Sequence, residues 1–261
     1  MGEKSRAKGK PPGEARGQVS NKFLYLGCPP EVTKTSTPRL PVMPPTSLFS
    51  SVMSDTTNVL TPEHPILPQL TQRRSPRAYT NQPVPAEALE QLFTAAGSAA
   101  SCFGEQPWRY LVGNKEKHPE AFDKILHSMG EFNQVWAKEA PVLVASIAKK
   151  TFSHDSNPNA WAKHDVGQAT ATLAIQAVEL GLQIHQMAGF SQDALRTAFN
   201  IPADYDLVAV FTVGYPAPAD AVPDSLRERE LAPRTRKPLT EFVFEGGWPL
   251  PTTERYDQAP V

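Results

Sequence analysis

An α+β fold in one domain is predicted by the way strand-like and helix-like segments follow one another. Three apolar runs, at residues 108–114, 140–148 and 206–216, have the length and composition of strands. Two further segments, at residues 86–96 and 164–184, carry the apolar residues of helices. Because these segments mix without strict alternation, the sequence indicates the α+β class rather than a parallel α/β sheet.

The first helix is predicted to begin at Pro85, since proline suits the first turn of a helix, and Leu89, Leu92 and Phe93 then recur at helical spacing. "WRYLVGN" at residues 108–114 is predicted as a strand. "HPEAFDKILHSMG" at residues 118–130 is predicted as a helix that Gly130 ends.

Two segments in the middle of the chain are predicted to form the core. "APVLVASIA" at residues 140–148 is an almost continuous apolar run, as expected for a buried strand. The alanine-rich segment 164–184 is predicted as a central buried helix. His164 and His185 would lie at opposite ends of that helix, about 30 Å apart, so they cannot share a metal ion. We predict no metal site.

A further helix and the last strand complete the prediction. Ser191 suits an N-cap, and Phe190 and Leu195 suit a hydrophobic staple around it. "DLVAVFTVGYP" at residues 206–216 is the clearest strand pattern, closed by Gly214 and Pro216.

The composition divides the chain near residue 60. Residues 1–60 hold eight of the 27 prolines, with eight basic and four acidic side chains, and no sustained apolar period. We predict that they are a disordered, basic extension, with a transit peptide as the alternative and Met53 as a possible natural start. Residues 61–261 form the folded domain, which ends in an apolar arm that includes Phe242 and Trp248.

The location is predicted to be cytoplasmic, without membrane attachment. No run of 18 apolar residues occurs in the sequence. Its two cysteines, Cys28 and Cys102, are too few for a disulfide framework and lack metal-ligand spacing.

Three arginines crowd the segment "RRSPRAY": Arg73, Arg74 and Arg77. They have three interpretations: a solvated surface, a nucleic-acid contact, or a site for a compact phosphate. The 18 basic and 23 acidic residues after position 60 argue against nucleic acid. Arginine forks match phosphate oxygens, Ser75 adds a hydroxyl donor, and no glycine-rich phosphate loop is present.

A second basic pair supports the phosphate site. Arg234 and Arg236 lie two residues apart in "APRTRKPLTEF", so both point to the same side if the segment is extended. Alone, such a pair is usually surface charge. Together with the first cluster, it would complete a phosphate site built from side chains.

Four segments, in order, resemble the nitroreductase family of flavoproteins. They are "RRSPRAY" with the helix after it, "SCFGEQPWRYLVG", "DVGQATATLAIQAVELGLQIHQMAGF" and "APRTRKPLTEF", which together span about residues 65–243. The resemblance implies a central mixed antiparallel sheet flanked by helices, and a homodimer that holds FMN at the subunit interface. One departure is Gly104, where the family usually has asparagine, so this chain has no side-chain amide at that position.

The resemblance also implies roles for individual residues. Arg73, Ser75, Arg234 and Arg236 would hold the FMN phosphate, with Arg74 at the same end and Arg77 near flavin N1 and O2. The remaining implied contacts are made by Ser101 and Cys102 from the partner subunit, by Asn133 at the pyrimidine edge, and by the backbone of Ala188 and Gly189 at N5. Cys102 is interpreted as a small packed side chain rather than a redox thiol.

The implied function is FMN-dependent transfer of hydride from NAD(P)H to a nitroaromatic, quinone or similar conjugated acceptor, with no catalytic side chain required. Other chemistries occur on the same fold: reductive dehalogenation, flavin cleavage to a benzimidazole, and azoline oxidation. A binding module for nucleic acid or phosphoprotein is the rival from another class. The sequence selects neither the acceptor nor NADH over NADPH.

Overall fold

The computed structural model describes residues 59–248. All of the predicted N-terminal extension except its last two residues lies outside this range, as does the chain after Trp248. The helices are α1 (Pro68–Gln72), α2 (Ala86–Gly97), α3 (Pro119–Ser128), α4 (Glu131–Ala137), α5 (Ala162–Glu179), α6 (Gln192–Phe199) and α7 (Asp224–Leu231). The strands are β1 (Trp108–Asn114), β2 (Val142–Lys149), β3 (Gln183–Met187) and β4 (Tyr205–Gly214).

The four strands form one antiparallel sheet in the order β1-β2-β4-β3. Helices cover both of its faces, as the α+β prediction requires. The predicted strands at 108–114, 140–148 and 206–216 are confirmed as β1, β2 and β4 within two residues at each end.

Strand β2 shows how the sheet divides the core into two layers. Leu143 and Ile147 pack in a cluster with residues of α3, α4, α6 and α7. Val142 and Val144 pack in a second cluster with residues of α2 and α5. Successive strand side chains point to opposite faces, so a strand covered on both sides reads as a continuous apolar run.

The prediction of one helix over residues 164–184 is wrong at its C-terminal end. Helix α5 ends at Glu179, and Gly181 takes the left-handed backbone conformation with φ of 71°. The Leu182 N–H donates to the Ala177 carbonyl and the Gly181 N–H to the Val178 carbonyl, which is a Schellman motif. His185 therefore lies on strand β3 and not at a helix end.

Smaller elements follow their local signals. Ser191 caps α6 as predicted, since its Oγ accepts the Ala194 N–H at 3.1 Å. Helix α3 ends at Ser128 rather than at Gly130, which instead is the N-cap of α4. Among residues 59–248, no helix combines the length and the apolar character that membrane crossing demands.

Candidate functional site

Both predicted basic segments line the same cavity of about 240 Å³, called here the arginine cavity. The segment after α1 approaches it from one side, and α7 with the chain that follows closes the other. Its lining residues are Arg73, Arg74, Ser75, Arg77, Arg229, Glu230, Ala232, Arg234 and Arg236. The structure thus brings together the five residues predicted for the phosphate end. Arg77, which was predicted for the N1 and O2 edge of the flavin, lines the same cavity.

Strand β3 holds the first basic segment in place. The buried Gln183 side chain accepts the Arg74 N–H at 2.9 Å and donates to the Gln72 carbonyl at 3.3 Å. His185 Nδ1 donates to the Pro76 carbonyl at 3.0 Å, and its ring packs on Trp136 with centroids 4.6 Å apart. The segment is therefore positioned by hydrogen bonds to its backbone.

Glu230 of α7 is the acidic residue of the arginine cavity. Its side chain is only 2 % exposed. One oxygen accepts from Arg74 Nη1 at 2.9 Å, while the other accepts the Arg77 backbone N–H at 3.0 Å and lies 3.7 Å from Arg77 Nη1. This carboxylate therefore neutralises part of the cluster and ties α7 to a segment 153 residues earlier.

The remaining cations repel one another. Burial, followed by the charge of Arg236, lowers the pKa of Arg73. Burial and then the charges of Arg73, Arg236 and Arg74 lower the pKa of Arg234, whose Nη1 also donates to the Thr71 carbonyl at 2.6 Å. Within residues 59–248, the buried Arg77 Nε has no hydrogen-bond partner. An anion in the cavity would relieve this repulsion.

Asn133, Ala188 and Gly189 form a second part of the site, beyond the end of β3. Asn133 Nδ2 donates to the Gly189 carbonyl at 3.3 Å, and the Gly130 N–H donates to the same oxygen at 3.0 Å. A Cβ atom on Gly189 would lie 3.0 Å from Asn133 Nδ2. Gly189 lies two residues beyond Met187, the last residue of β3, and His185 beside the arginine segment lies on that strand.

Ser101 and Cys102 do not line the arginine cavity. The Cys102 N–H donates at 2.9 Å to Asp165 Oδ2, near the start of α5. The end of α5 carries Glu179, which accepts a hydrogen bond from Gln69 at 2.9 Å, just before the arginine segment. Asp165 and Glu179 are fourteen residues apart on α5, a distance of about 21 Å. Within one subunit, the loop with Cys102 and the arginine segment therefore lie near opposite ends of this helix.

Four residues of the site and its supports were missed at the level of sequence: Glu230 and Arg229 in the arginine cavity, Gln183 beneath it, and Asp165 beside Cys102. Glu230 lies in "RERE", which is indistinguishable from an exposed helix face. The predicted helix over residues 164–184 includes Gln183, so its position on strand β3 does not follow from the sequence. Residues 59–248 contain no cluster of His, Cys, Asp and Glu arranged to hold a metal ion.

Replacing Glu230 tests its structural role. Glu230→Ala leaves Arg74 and Arg77 without their carboxylate and the Arg77 N–H without an acceptor. We expect the free energy of unfolding in urea to fall by about 3 kcal/mol. This is the lower end of the range for breaking a buried ion pair, because both guanidinium groups are partly solvated. Glu228→Ala, on the exposed side of the same helix, should change it by less than about 0.5 kcal/mol. Equal losses in the two variants would contradict this role.

The pH dependence of stability tests His185. Burial, reinforced by Arg77 and Arg73, lowers the pKa of His185 from 6.5 to about 4. The folded state therefore favours neutral histidine, so its contribution to stability is complete above pH 6.5 and declines as the pH falls towards 4. The loss is at most about 3 kcal/mol. Urea unfolding at several pH values should show a flatter acid limb in His185→Gln. The exposed His164→Gln variant should have the same pH dependence as the parent. If both variants have the same pH dependence of stability, His185 is not the group responsible.

Comparisons with known proteins agree with the resemblance to the nitroreductase family. The family model described as "Nitroreductase family" matches residues 70–215. An uncharacterised 15.4 kDa protein of Mycolicibacterium smegmatis is 32 % identical over 149 residues, covering 55 % of this chain and 99 % of that protein. Iodotyrosine deiodinase 1 of Sus scrofa is 26 % identical over 204 residues, covering 67 % of this chain and 66 % of the deiodinase.

Solved structures share the fold. A crystal structure described as an oxidoreductase containing FMN has a TM-score of 0.67 and 34 % identity, covering 75 % of this chain and 98 % of its own. A nitroreductase family protein of Clostridium difficile has a TM-score of 0.53 and 26 % identity, with coverages of 69 % and 96 %. Because the family model spans more than half of the chain, including the whole sheet and the first arginine segment, the protein belongs to the nitroreductase family.

Proposed function

We propose that the protein is an FMN-dependent oxidoreductase that takes electrons from NAD(P)H and delivers them to a conjugated small-molecule acceptor. The observation that carries this proposal is the convergence of two distant basic segments and Ser75 on one small cavity. The similar oxidoreductase of known structure contains FMN. When bound, FMN supplies the chemistry by accepting hydride at N5 and passing the electrons on.

The cavity residues fit the phosphate end of this cofactor. Arg73, Ser75, Arg234 and Arg236 supply donors around about 240 Å³, a space suited to one phosphomonoester and its first contacts. Neither Arg73 nor Arg236 forms an ion pair within residues 59–248, so both can bind an anion without breaking a salt bridge. Arg74 forms an ion pair with Glu230 and adds its positive charge to the cavity.

We propose that the flavin ring is contacted by Arg77, Asn133 and the backbone of Ala188 and Gly189, which together are called the ring end. Arg77, whose buried Nε has no hydrogen-bond partner among residues 59–248, would stabilise negative charge at the N1 and O2 edge. The Asn133 amide donates to the Gly189 carbonyl, and the missing side chain of Gly189 leaves room for that amide. These residues bind and orient; none needs to transfer a proton itself.

A homodimer is the second part of the proposal. Asp165, which binds Cys102, lies about 21 Å along α5 from Glu179 near the arginine segment, which favours contact of Ser101 and Cys102 with the flavin of the other subunit. Phe103 beside them is 85 % exposed. The free thiol of Cys102 fits a reducing cytoplasm.

Reductive dehalogenation is the second candidate activity. The alignment with iodotyrosine deiodinase 1 is, at 204 residues, longer than that with the mycobacterial protein. A steady-state panel that contains a quinone, a nitroaromatic and an iodophenol discriminates between the two activities. A nucleic-acid binder is disfavoured because the basic residues gather around one cavity instead of forming an extended stripe.

Two substitutions separate cofactor binding from redox tuning. Arg73→Ala removes a charge-assisted contact of about 1.5–3 kcal/mol, so the FMN dissociation constant should rise about ten- to a hundredfold. Arg77→Ala should mainly lower the flavin midpoint potential, by about 30 mV for each 1.4 kcal/mol lost from the reduced anion. Fluorescence titration measures the first effect and a reductive titration against reference dyes the second.

The exposed Lys124→Ala on α3 serves as the matched control and should change neither quantity. Acid-released cofactor should be FMN, about one per subunit. Release of FAD, or parental FMN affinity in Arg73→Ala, would contradict the proposed phosphate site.

Subunit mixing tests the shared site. Arg73→Glu and Cys102→Trp subunits should each lose FMN as homodimers, because every site then contains one defect. A mixed dimer should regain one intact site of two, made of the parental Arg73 of one chain and the parental Cys102 of the other. Flavin absorbance across a light-scattering elution profile gives both mass and occupancy. No recovery in mixed dimers, or a flavin-loaded monomer, would refute the shared site.

A further inference from the structure

The arginine cavity carries more positive charge than one FMN phosphate neutralises. Six arginines and one glutamate line it, for a formal charge of +5. A phosphomonoester contributes about −1.5 to −2 near pH 7. About three positive charges therefore remain after the cofactor that we propose is bound, and the inference below rests on that proposed function.

Arg229 is the surplus cation best placed to meet a second ligand. It is exposed on α7, lines the arginine cavity, and lies over the ring of Phe132 with a guanidinium-to-centroid distance of 5.1 Å. Phe132, itself 50 % exposed, directly precedes Asn133 of the ring end. Arg229 therefore lies on the solvent side between the two parts of the site, held by a cation–π contact.

We propose that Arg229 recognises a phosphate of the nicotinamide donor and that the protein uses NADPH in preference to NADH. The two donors differ by one phosphomonoester, which adds about −1.5 to −2 of charge to NADPH. After position 60 the chain has 18 basic and 23 acidic residues, and without the six arginines and the glutamate of the cavity 12 basic and 22 acidic residues remain, a negative balance that repels both nucleotides. A local positive cavity on such a surface attracts the more highly charged donor to the site.

Geometry separates Arg229 from its neighbours in the same helix and cavity. Arg74 and Arg77 are engaged by Glu230, and Arg234 donates to Thr71. Arg227, also exposed on α7, pairs with Asp224 at 2.8 Å and does not line the cavity. Arg227 is thus a control with the same charge, helix and exposure but without access to the site.

The experiment measures kcat/KM for NADPH and for NADH with the flavin-loaded enzyme and 1,4-benzoquinone, an uncharged acceptor. The parent should favour NADPH, and the preference should shrink as salt is raised, since an exposed contact is screened. Arg229→Gln should lower the NADPH-to-NADH ratio about three- to tenfold, while Arg227→Gln leaves it within twofold. FMN content, read from the absorbance of each preparation, should match the parent in both variants.

Different failures have different meanings. A flavin-loaded enzyme that uses the two nucleotides equally, or that prefers NADH, overturns this inference and leaves the proposed function standing. The same conclusion follows if Arg227→Gln lowers the ratio as much as Arg229→Gln. A colourless protein that oxidises neither nucleotide contradicts the proposed function and this inference with it.

Discussion

One buried carboxylate among six arginines is the interaction on which the site depends. Glu230 binds Arg74 and both the backbone and the side chain of Arg77, so it joins α7 to the segment that follows α1. Guanidinium groups gathered in one cavity repel each other, and a single acid offsets only part of this repulsion. The site is therefore held together by its protein contacts while keeping a net attraction for anions. A more complete neutralisation would weaken the binding of the phosphate that we propose for this cavity.

Strand β3 connects the two ends of the site. Gln183 and His185 hold the backbone of the arginine segment, and the same strand leads to Ala188 and Gly189 beside Asn133. The Schellman turn at Gly181 determines where this strand begins. A helix continuing to residue 184 would give Gln183 and His185 neither their direction nor their partners. The position of one glycine thus sets the relation between the phosphate end and the ring end.

The loop at residues 101–106 shows how the departure at Gly104 is accommodated. Phe103, Gly104 and Gln106 all have positive φ. Asp165 accepts the Cys102 N–H, and Glu105 accepts the backbone and hydroxyl of Ser153 at 2.8 and 2.6 Å. These two carboxylates anchor the loop, whose backbone would otherwise be costly to hold in this form. The loop is therefore held at both ends by these carboxylates in a chain that has glycine at position 104.

Local patterns determined much of this protein. The β-branched runs predicted β1, β2 and β4, the Ser191 cap predicted α6, and the clustered arginines predicted a compact anion site, because each signal depends on neighbouring residues alone. Only the tertiary structure decided that Glu230 belongs among the arginines, that Arg229 lies over Phe132, and that Ser101 and Cys102 are remote from both. Those relations join residues about 60 to 150 positions apart. An acidic residue in an alternating charged helix looks the same in sequence whether water or a buried cation faces it, and packing alone distinguishes the two.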